Sequence, residues 1–276
     1  MRLIPGAVHS AIGWRLRYYR TYVWHGFLRR CALYPSVFSS WQDTLRYSRA
    51  LLELQRKPEP LTIRVRELEG RPLLCRPGTS DPWVLWDTFY EKYHLPLSPL
   101  PPGSCIVDLG ANVGYTAAHL AALNNGSRVI AVEMDGANAS LARRNLAVFG
   151  SRCELLHAAI WSKDGSVNYV GEEDQGFRIS TGSREADSIR RLCPAITINS
   201  LFRRYGITRV DFLKMDIEGA EAEIFKGCLD WAQQVKSMKI EIHPPATINE
   251  CSRILSDIGF RCQQVMIGPP CLFAFR

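Results

Sequence analysis

The chain has 276 residues, of which 46% are hydrophobic and 22% charged, so it is long enough to bury one substantial core and carry one additional module. It contains no run of about 18 apolar residues free of polar side chains, which argues against a membrane-spanning helix. The nine cysteines are scattered and form no C-x-x-C pair, so reduced thiols are expected rather than a disulfide framework or a zinc site. Because the N-terminus also lacks a signal-peptide core, the composition predicts a cytoplasmic protein.

The net charge of +7 is concentrated at the N-terminus. Residues 1–60 contain ten Arg or Lys side chains against three acids, whereas the other 216 residues contain 24 of each. Apolar side chains at three- and four-residue spacing predict a helix over 8–30, and a second helix is predicted over 39–55. Two prolines at 58 and 60 then predict a hinge. Residues 1–60 are therefore predicted to form a basic helical arm.

The following residues, 61–102, are predicted to form a lead-in segment. Alternating apolar residues over 61–76 predict a hairpin with its turn at Glu69-Gly70, and a short helix over 81–93 and a proline-rich connector complete the segment.

From residue 103 to the end, apolar runs rich in β-formers alternate with helical patterns. This alternation predicts an α/β domain with a parallel sheet covered by helices on both faces. The candidate strands are 105–109, 128–133, 153–160, 209–215 and 236–242.

The first of these strands ends in a turn that contains Asp108, Gly110, Asn112 and Gly114 and leads directly into a helix. Such a turn lets the main chain approach a ligand closely and presents free N–H groups at the helix start, although tight turns also need glycine for steric reasons alone. Glu133 ends the next strand, 23 residues after Gly110. This is close to the ~20-residue offset of an acid that binds ribose hydroxyls, so a ribose-containing ligand is predicted.

The glycine spacing distinguishes between two nucleoside cofactors. A dinucleotide site is expected to show G-x-G-x-x-G, whereas this turn has G-x-x-x-G with Asp108 two residues before its first glycine. The carboxylate of Asp108 would repel a pyrophosphate and attract an ammonium or a sulfonium. The turn therefore favours S-adenosylmethionine, and a nicotinamide-dependent oxidoreductase is the less favoured alternative.

Three ordered motifs resemble the FkbM family of S-adenosylmethionine-dependent methyltransferases: Ile106-Val-Asp-Leu-Gly-Ala-Asn-Val-Gly-Tyr-Thr116, Val210-Asp-Phe-Leu-Lys-Met-Asp-Ile-Glu-Gly-Ala-Glu221 and Ile240-Glu-Ile-His-Pro244. The lead-in Arg76-Pro-Gly-Thr-Ser-Asp-Pro-Trp83 is also similar to the segment that precedes the domain in that family. The resemblance covers about residues 72–276. It implies a Rossmann-like class I methyltransferase fold with a mostly parallel seven-stranded sheet, and O-methylation of a sugar, a glycan or a secondary metabolite.

The resemblance also implies which residues hold S-adenosylmethionine. Glu133 would bind the ribose, and the main chain at the end of the third strand would contact the adenine. The residues assigned to the cofactor are Asp108, Gly110, Asn112, Gly114, Glu133, Ala158, Ala159 and Asp216.

Four residues at the ends of the fourth and fifth strands are the candidate catalytic residues: Asp216, Glu218, Glu241 and His243. They follow the carboxyl ends of the strands, where open α/β sheets bind ligands. A neutral imidazole at His243 would take the proton of the acceptor hydroxyl, because the pKa of histidine lies near the working pH. The alternatives are that Asp216 caps the next helix and that His243 is an ordinary loop residue. No metal ion is predicted.

The expected partners are a small-molecule or glycan acceptor, bound beneath a mobile loop at 171–195. Residues 1–57 are predicted to form a helical cap or a homodimer contact with a solvated basic face, and contact with an anionic membrane surface or a lipid-linked glycan is the alternative. The basic excess permits RNA methylation, but no aromatic RNA-binding motif supports it, so nucleic acid is not favoured as a partner. A binding protein without catalytic activity is a further alternative.

Overall fold

A computed structural model describes residues 33–53, 59–171, 178–179, 191–265 and 270–276. The predicted helix over 8–30 lies outside the described residues, as do residues 54–58 at the predicted hinge. Among the helices of the described ranges, none has the length and apolar character needed to cross a membrane. The cysteines in these ranges carry free thiols, as expected.

The N-terminal part of the described chain contains the helix α1 and a hairpin. The helix α1 begins after Ser40, whose hydroxyl oxygen accepts a hydrogen bond from the main-chain N–H of Asp43. The predicted hairpin is present, with Glu69 and Gly70 in the left-handed conformation at its turn. The elements are α1 (Trp41–Leu52), β1 (Leu61–Arg64) and β2 (Pro72–Cys75).

An aromatic cluster attaches the segment 33–53 to the rest of the molecule. The ring of Tyr47 lies 4.6 Å from that of Phe38 and 5.3 Å from that of Tyr34, and Tyr34 lies 5.5 Å from Trp86. All four side chains are buried in the same hydrophobic cluster as strand and helix residues of the sheet domain. Removing residues 1–57 would therefore open the core, and a test of the basic N-terminus must leave residues 33–53 in place.

The predicted helix over 81–93 is divided into two parts. Its first part is α2 (Asp81–Trp86), which continues into a wider π-helical turn at Asp87–Glu91. The carboxylate of Asp81 accepts two hydrogen bonds from the guanidinium of Arg76 at 2.9 and 2.7 Å, and both side chains are buried. This ion pair fixes the start of the helix against the end of β2.

A seven-stranded sheet forms the centre of the molecule. Its strands are β3 (Cys105–Leu109), β4 (Arg128–Glu133), β5 (Cys153–His157), β10 (Phe212–Met215), β11 (Ser237–Glu241), β12 (Arg261–Val265) and β13 (Cys271–Phe275). Their order in the sheet is β12-β13-β11-β10-β3-β4-β5. Within this sheet only the pairings of β13 are antiparallel, so the predicted Rossmann-like fold is confirmed.

Helices cover both faces of this sheet. Alternate residues of β3 enter opposite clusters, since Ile106 packs on one side and Val107 on the other. The first cluster includes Leu120 of α3, and the second includes Leu201 of α5 and Leu255 of α7. The helices are α3 (Tyr115–Leu123), α4 (Gly136–Leu146), α5 (Ile198–Tyr205), α6 (Glu221–Lys226) and α7 (Ile248–Asp257).

A second, four-stranded sheet was not predicted. The predicted strand 153–160 is divided, because β5 ends at His157 and the following two residues belong to the second sheet. This sheet also takes up the end of the predicted loop at 171–195, of which 172–177 and 180–190 lie outside the described residues. Its strands are β6 (Ala159–Ile160), β7 (Gly165–Val170), β8 (Arg178–Ile179) and β9 (Arg191–Ile196).

Candidate functional site

The turn after β3 is held against the end of β10 by a close main-chain contact. Gly110 has φ +80°, and a Cβ atom added there would lie 1.8 Å from the main-chain oxygen of Asp216. Gly114, with φ +83°, precedes α3, and a Cβ atom there would lie 3.2 Å from Ala142 of α4. Both glycines are therefore required by close packing and by backbone conformation. The sequence predicted both positions correctly as parts of a turn.

Asp108 is buried at the end of β3, and sequence reasoning missed its cationic partner. Its carboxylate accepts a hydrogen bond of 2.5 Å from the Thr116 hydroxyl, and the Nζ of Lys214 lies 3.4 Å away. Lys214 also donates to the main-chain oxygen of Gly110 at 3.3 Å and lies 3.5 Å from Asp216. Burial lowers the pKa of Lys214, but the charges of Asp108 and Asp216 outweigh it and hold that pKa well above the ordinary value.

Glu133 connects the end of β4 to the glycine-containing turn. One carboxylate oxygen accepts a hydrogen bond from the main-chain N–H of Asn112 at 2.8 Å, and the other accepts from that of Asp135 at 2.7 Å. Burial raises the pKa of Glu133 to about 8, and the two N–H donors only partly offset this effect. The predicted acid at the strand end therefore does reach the turn.

We expect Glu133→Gln to change how stability depends on pH. Unfolded Glu133 ionises near its ordinary pKa of 4.5, whereas the folded group keeps its proton up to about pH 8. The contribution of Glu133 to stability is therefore fully present below pH 4.5 and is lost as the pH rises through 8. Relative to the unaltered protein, the variant should gain about 1 kcal/mol in unfolding free energy per pH unit across this interval. Urea unfolding between pH 5 and pH 8 measures the difference, and parallel curves would contradict the assignment.

Asn112 presents an acceptor at the same turn. Its φ is +50°, a conformation that asparagine tolerates better than most residues. Its side-chain Oδ1 is buried and has no hydrogen-bond partner in the part of the chain that the structure describes. Buried acceptors of this kind are normally paired with a protein donor, an ordered water molecule or a ligand.

The predicted adenine contact lies beside Glu133. The N–H of Ala158 donates to the main-chain oxygen of Glu133 at 3.0 Å, and both Ala158 and Ala159 are buried. Asp135, which sequence reasoning left without a role, caps α4 and accepts a hydrogen bond of 2.7 Å from Arg191. Arg191 thereby joins the second sheet to this edge of the site.

The four predicted catalytic residues form one cluster around the imidazole of His243. The Nε2 atom lies 3.3 Å from a carboxylate oxygen of Glu241, 3.6 Å from one of Glu218 and 3.8 Å from one of Asp216. The Nδ1 atom lies 3.1 Å from the carboxylate of Glu221. The ends of β10 and β11 thus bring these side chains together, as the sequence predicted.

Glu221 is the residue of this cluster that sequence reasoning missed. Its buried carboxylate accepts hydrogen bonds from the N–H groups of Ile217 and Gly219 at 3.2 and 2.8 Å, in addition to its contact with His243. The alternative in which Asp216 caps α6 is not observed, because that helix begins after Ala220 without a side-chain cap within the described residues. The sequence feature that could have identified Glu221 is its position as the second acid of Glu218-Gly-Ala-Glu221, shortly after the end of β10.

The expectation of a neutral imidazole at His243 needs correction. Burial lowers the pKa of His243, but hydrogen bonds to Glu221 and Glu241 and the charges of Asp216 and Glu218 outweigh it and raise that pKa to about 12. In this arrangement His243 is an imidazolium at neutral pH. The carboxylates around it, rather than the imidazole, are then the groups able to accept a proton.

The lead-in segment also reaches the site. The Nζ of Lys239, on β11, lies 5.6 Å from the centre of the Tyr93 ring. Burial raises the pKa of Tyr93, and so do the charges of Asp216 and Glu241. Tyr93 therefore keeps its hydroxyl proton beside the carboxylates.

Comparison with known proteins gives the following matches. A family model described as the methyltransferase FkbM domain matches residues 108–262, more than half of the chain. Methyltransferase sdnD of Sordaria araneosa is 26% identical over 214 residues, covering 64% of this chain and 79% of that protein. Among solved structures, a fibrillarin pre-rRNA processing protein of Methanococcus jannaschii is 18% identical with a TM-score of 0.41, covering 66% of this chain and 70% of that one. Aeropyrum pernix fibrillarin with natively bound S-adenosyl-L-methionine is 16% identical with a TM-score of 0.37, covering 65% and 70%.

Proposed function

The chain belongs to the FkbM family of S-adenosylmethionine-dependent methyltransferases, and from this premise we propose that it methylates a hydroxyl oxygen of a sugar, a glycan or a secondary metabolite. One observation carries the proposal. The glycine-containing turn and the carboxylate–histidine cluster are in direct contact, because Gly110 packs against the main chain of Asp216 and Lys214 bridges Asp108 and Asp216. A donor at the turn would therefore lie next to an acceptor at the cluster.

The residues at the turn fit the proposed cofactor. The Oδ1 of Asn112, which has no hydrogen-bond partner within the described residues, would accept a hydrogen bond from the ammonium of the methionine part, and Asp108 would add negative charge nearby. Glu133 lies at the end of β4, where its carboxyl group would bind ribose hydroxyls, and Ala158 and Ala159 would border the adenine. The cofactor supplies a methyl group on a sulfonium, whose departure leaves a neutral thioether.

The residues of the cluster would orient the acceptor and remove its proton. Glu218 is the most exposed of the four carboxylates around His243, at 29% of its side chain, and it has φ +52°. Its carboxylate would accept a hydrogen bond from the acceptor hydroxyl and take up the proton as the methyl group arrives. His243 and Glu241 would hold this carboxylate and the acceptor in line with the donor, and such positioning supplies much of the rate.

Methyl-labelled S-adenosylmethionine tests this proposal. The full chain is incubated with a panel of sugars, glycans, hydroxylated secondary metabolites and RNA, and the labelled product is characterised by mass spectrometry and NMR. We expect label in an O-methyl ether of a non-nucleic-acid acceptor. Label on nitrogen, on carbon or in RNA would refute the proposed acceptor. A thermal shift with NADH but not with S-adenosylhomocysteine would refute the cofactor site.

A further inference from the structure

Three side chains of the cluster have the arrangement of a cation site. Asp216, Glu241 and His243 each offer one ligand atom, and these atoms all lie within 4.8 Å of one another. The residues come from the carboxyl ends of the adjacent parallel strands β10 and β11. Glu241 and His243 are two positions apart and share one face of the strand end. The sequence showed no metal pattern because the ligands come from separate parts of the chain.

The imidazole is oriented as a metal ligand would be. Nδ1 of His243 contacts the buried carboxylate of Glu221, which two main-chain N–H groups hold in place. Nε2 is thereby directed at Asp216 and Glu241. Metal-binding histidines are typically held in this way by a carboxylate on the other ring nitrogen.

Carboxylates outnumber the cationic side chains around this point, even when His243 is counted with the lysines. Two lysines are buried nearby, and one of them, Lys214, already contacts two carboxylates, while Lys239 lies over the rings of Tyr93 and Phe273. Carboxylates gathered this closely repel one another, and a bound cation would reduce that repulsion. The carboxylates are those of Asp108, Asp216, Glu218, Glu221 and Glu241.

We propose that Asp216, Glu241 and His243 bind one divalent cation of the Mn²⁺ or Zn²⁺ class beside the glycine-containing turn. A neutral imidazole with two carboxylates suits such cations, so the cation would take the place of the proton on Nε2 of His243. The role of the cation rests on the proposed function: it would bind the acceptor oxygen and make its hydroxyl more acidic, while Glu218 takes the proton. Binding of the cation itself does not depend on that function.

Cation binding is measured on the full chain after treatment with a chelator. We expect Mn²⁺, followed by the electron paramagnetic resonance signal of the free ion, and Zn²⁺, followed by calorimetry, to bind with one equivalent per chain. Asp216→Asn, Glu241→Gln and His243→Gln should each weaken binding at least tenfold, and Glu221→Gln about 10- to 100-fold. The control Glu223→Gln, on the same helix as Glu221 but paired with Lys226, should bind as the unaltered protein does.

Two results would overturn the proposal: no saturable binding of either ion, or binding that all four variants leave unchanged while their melting temperatures show that they are folded. The cation site and the proposed function can fail separately. Stoichiometric Mn²⁺ binding without methyl transfer to any acceptor would refute the function and leave the site standing. Methyl transfer by a protein that binds neither ion would refute the site and leave the function standing.

Discussion

Replacing His243 by alanine is expected to lower the turnover number about 10²-fold while changing the affinity for S-adenosylmethionine less than about threefold. The loss follows from the geometry of the cluster. The imidazole contacts four carboxylates within 4 Å, and without it they repel one another and no longer hold the acceptor in line. The affinity for S-adenosylmethionine should stay nearly unchanged, because the turn is held by contacts that do not involve His243. Asp108 is bonded to Thr116, and the N–H of Asn112 is bonded to Glu133.

Steady-state kinetics with the acceptor found in the labelling experiment measure this effect, and calorimetry with S-adenosylmethionine measures the affinity. His157→Ala is a matched control, since its ring contacts the main-chain oxygen of Met134 and lies outside the cluster. Its turnover number should fall far less than that of His243→Ala. An unaltered turnover number for a folded His243→Ala protein would remove His243 from the mechanism, and a loss of cofactor affinity equal to the loss of turnover would reassign it to the cofactor site.

The sequence predicted the sheet and the places of its site residues because both depend on local patterns. Buried strands of four to six residues separated by helices are visible as apolar runs, and β3, β4 and β11 were placed to within about one residue. The motif residues at 108–114, 216–218 and 241–243 lie at or directly after strand ends. Parallel strands bring such ends to one edge of a sheet, so their proximity follows from the topology.

What the sequence did not predict depends on contacts between distant residues. Lys214 reads as one polar position in an apolar strand, and only the pairing of β10 with β3 places it beside Asp108. The charge state of His243 depends on four acids from two strand ends and a helix, of which Glu221 was not among the predicted site residues. The aromatic cluster around Tyr47 likewise depends on residues from α1 and α2 meeting, so residues 33–53 were assigned to an arm.

The second large effect is expected at Gly110. Gly110→Ala should lower the unfolding free energy by about 2–5 kcal/mol and weaken S-adenosylmethionine binding at least tenfold. A positive φ costs a non-glycine residue about 1–2 kcal/mol, and forcing a methyl group into a packed site costs a further ~1–3 kcal/mol. The methyl group would lie 1.8 Å from the main-chain oxygen of Asp216, so the turn and the end of β10 must separate. That separation would pull the cofactor turn away from the carboxylate–histidine cluster.

Gly103→Ala separates the two causes, because Gly103 has a similar φ of +75° but nothing within 4 Å of an added Cβ atom. The unfolding free energy of Gly103→Ala should fall by only about 1–2 kcal/mol, the cost of the backbone conformation, and its affinity for S-adenosylmethionine should be unchanged. Urea unfolding and calorimetry on both variants measure the two quantities. If the two alanine variants proved equally stable and bound S-adenosylmethionine equally well, the contact between Gly110 and Asp216 would not be what joins the donor and acceptor halves of the site. A deficit confined to Gly110→Ala would instead identify this main-chain contact as the feature that keeps the two halves in register.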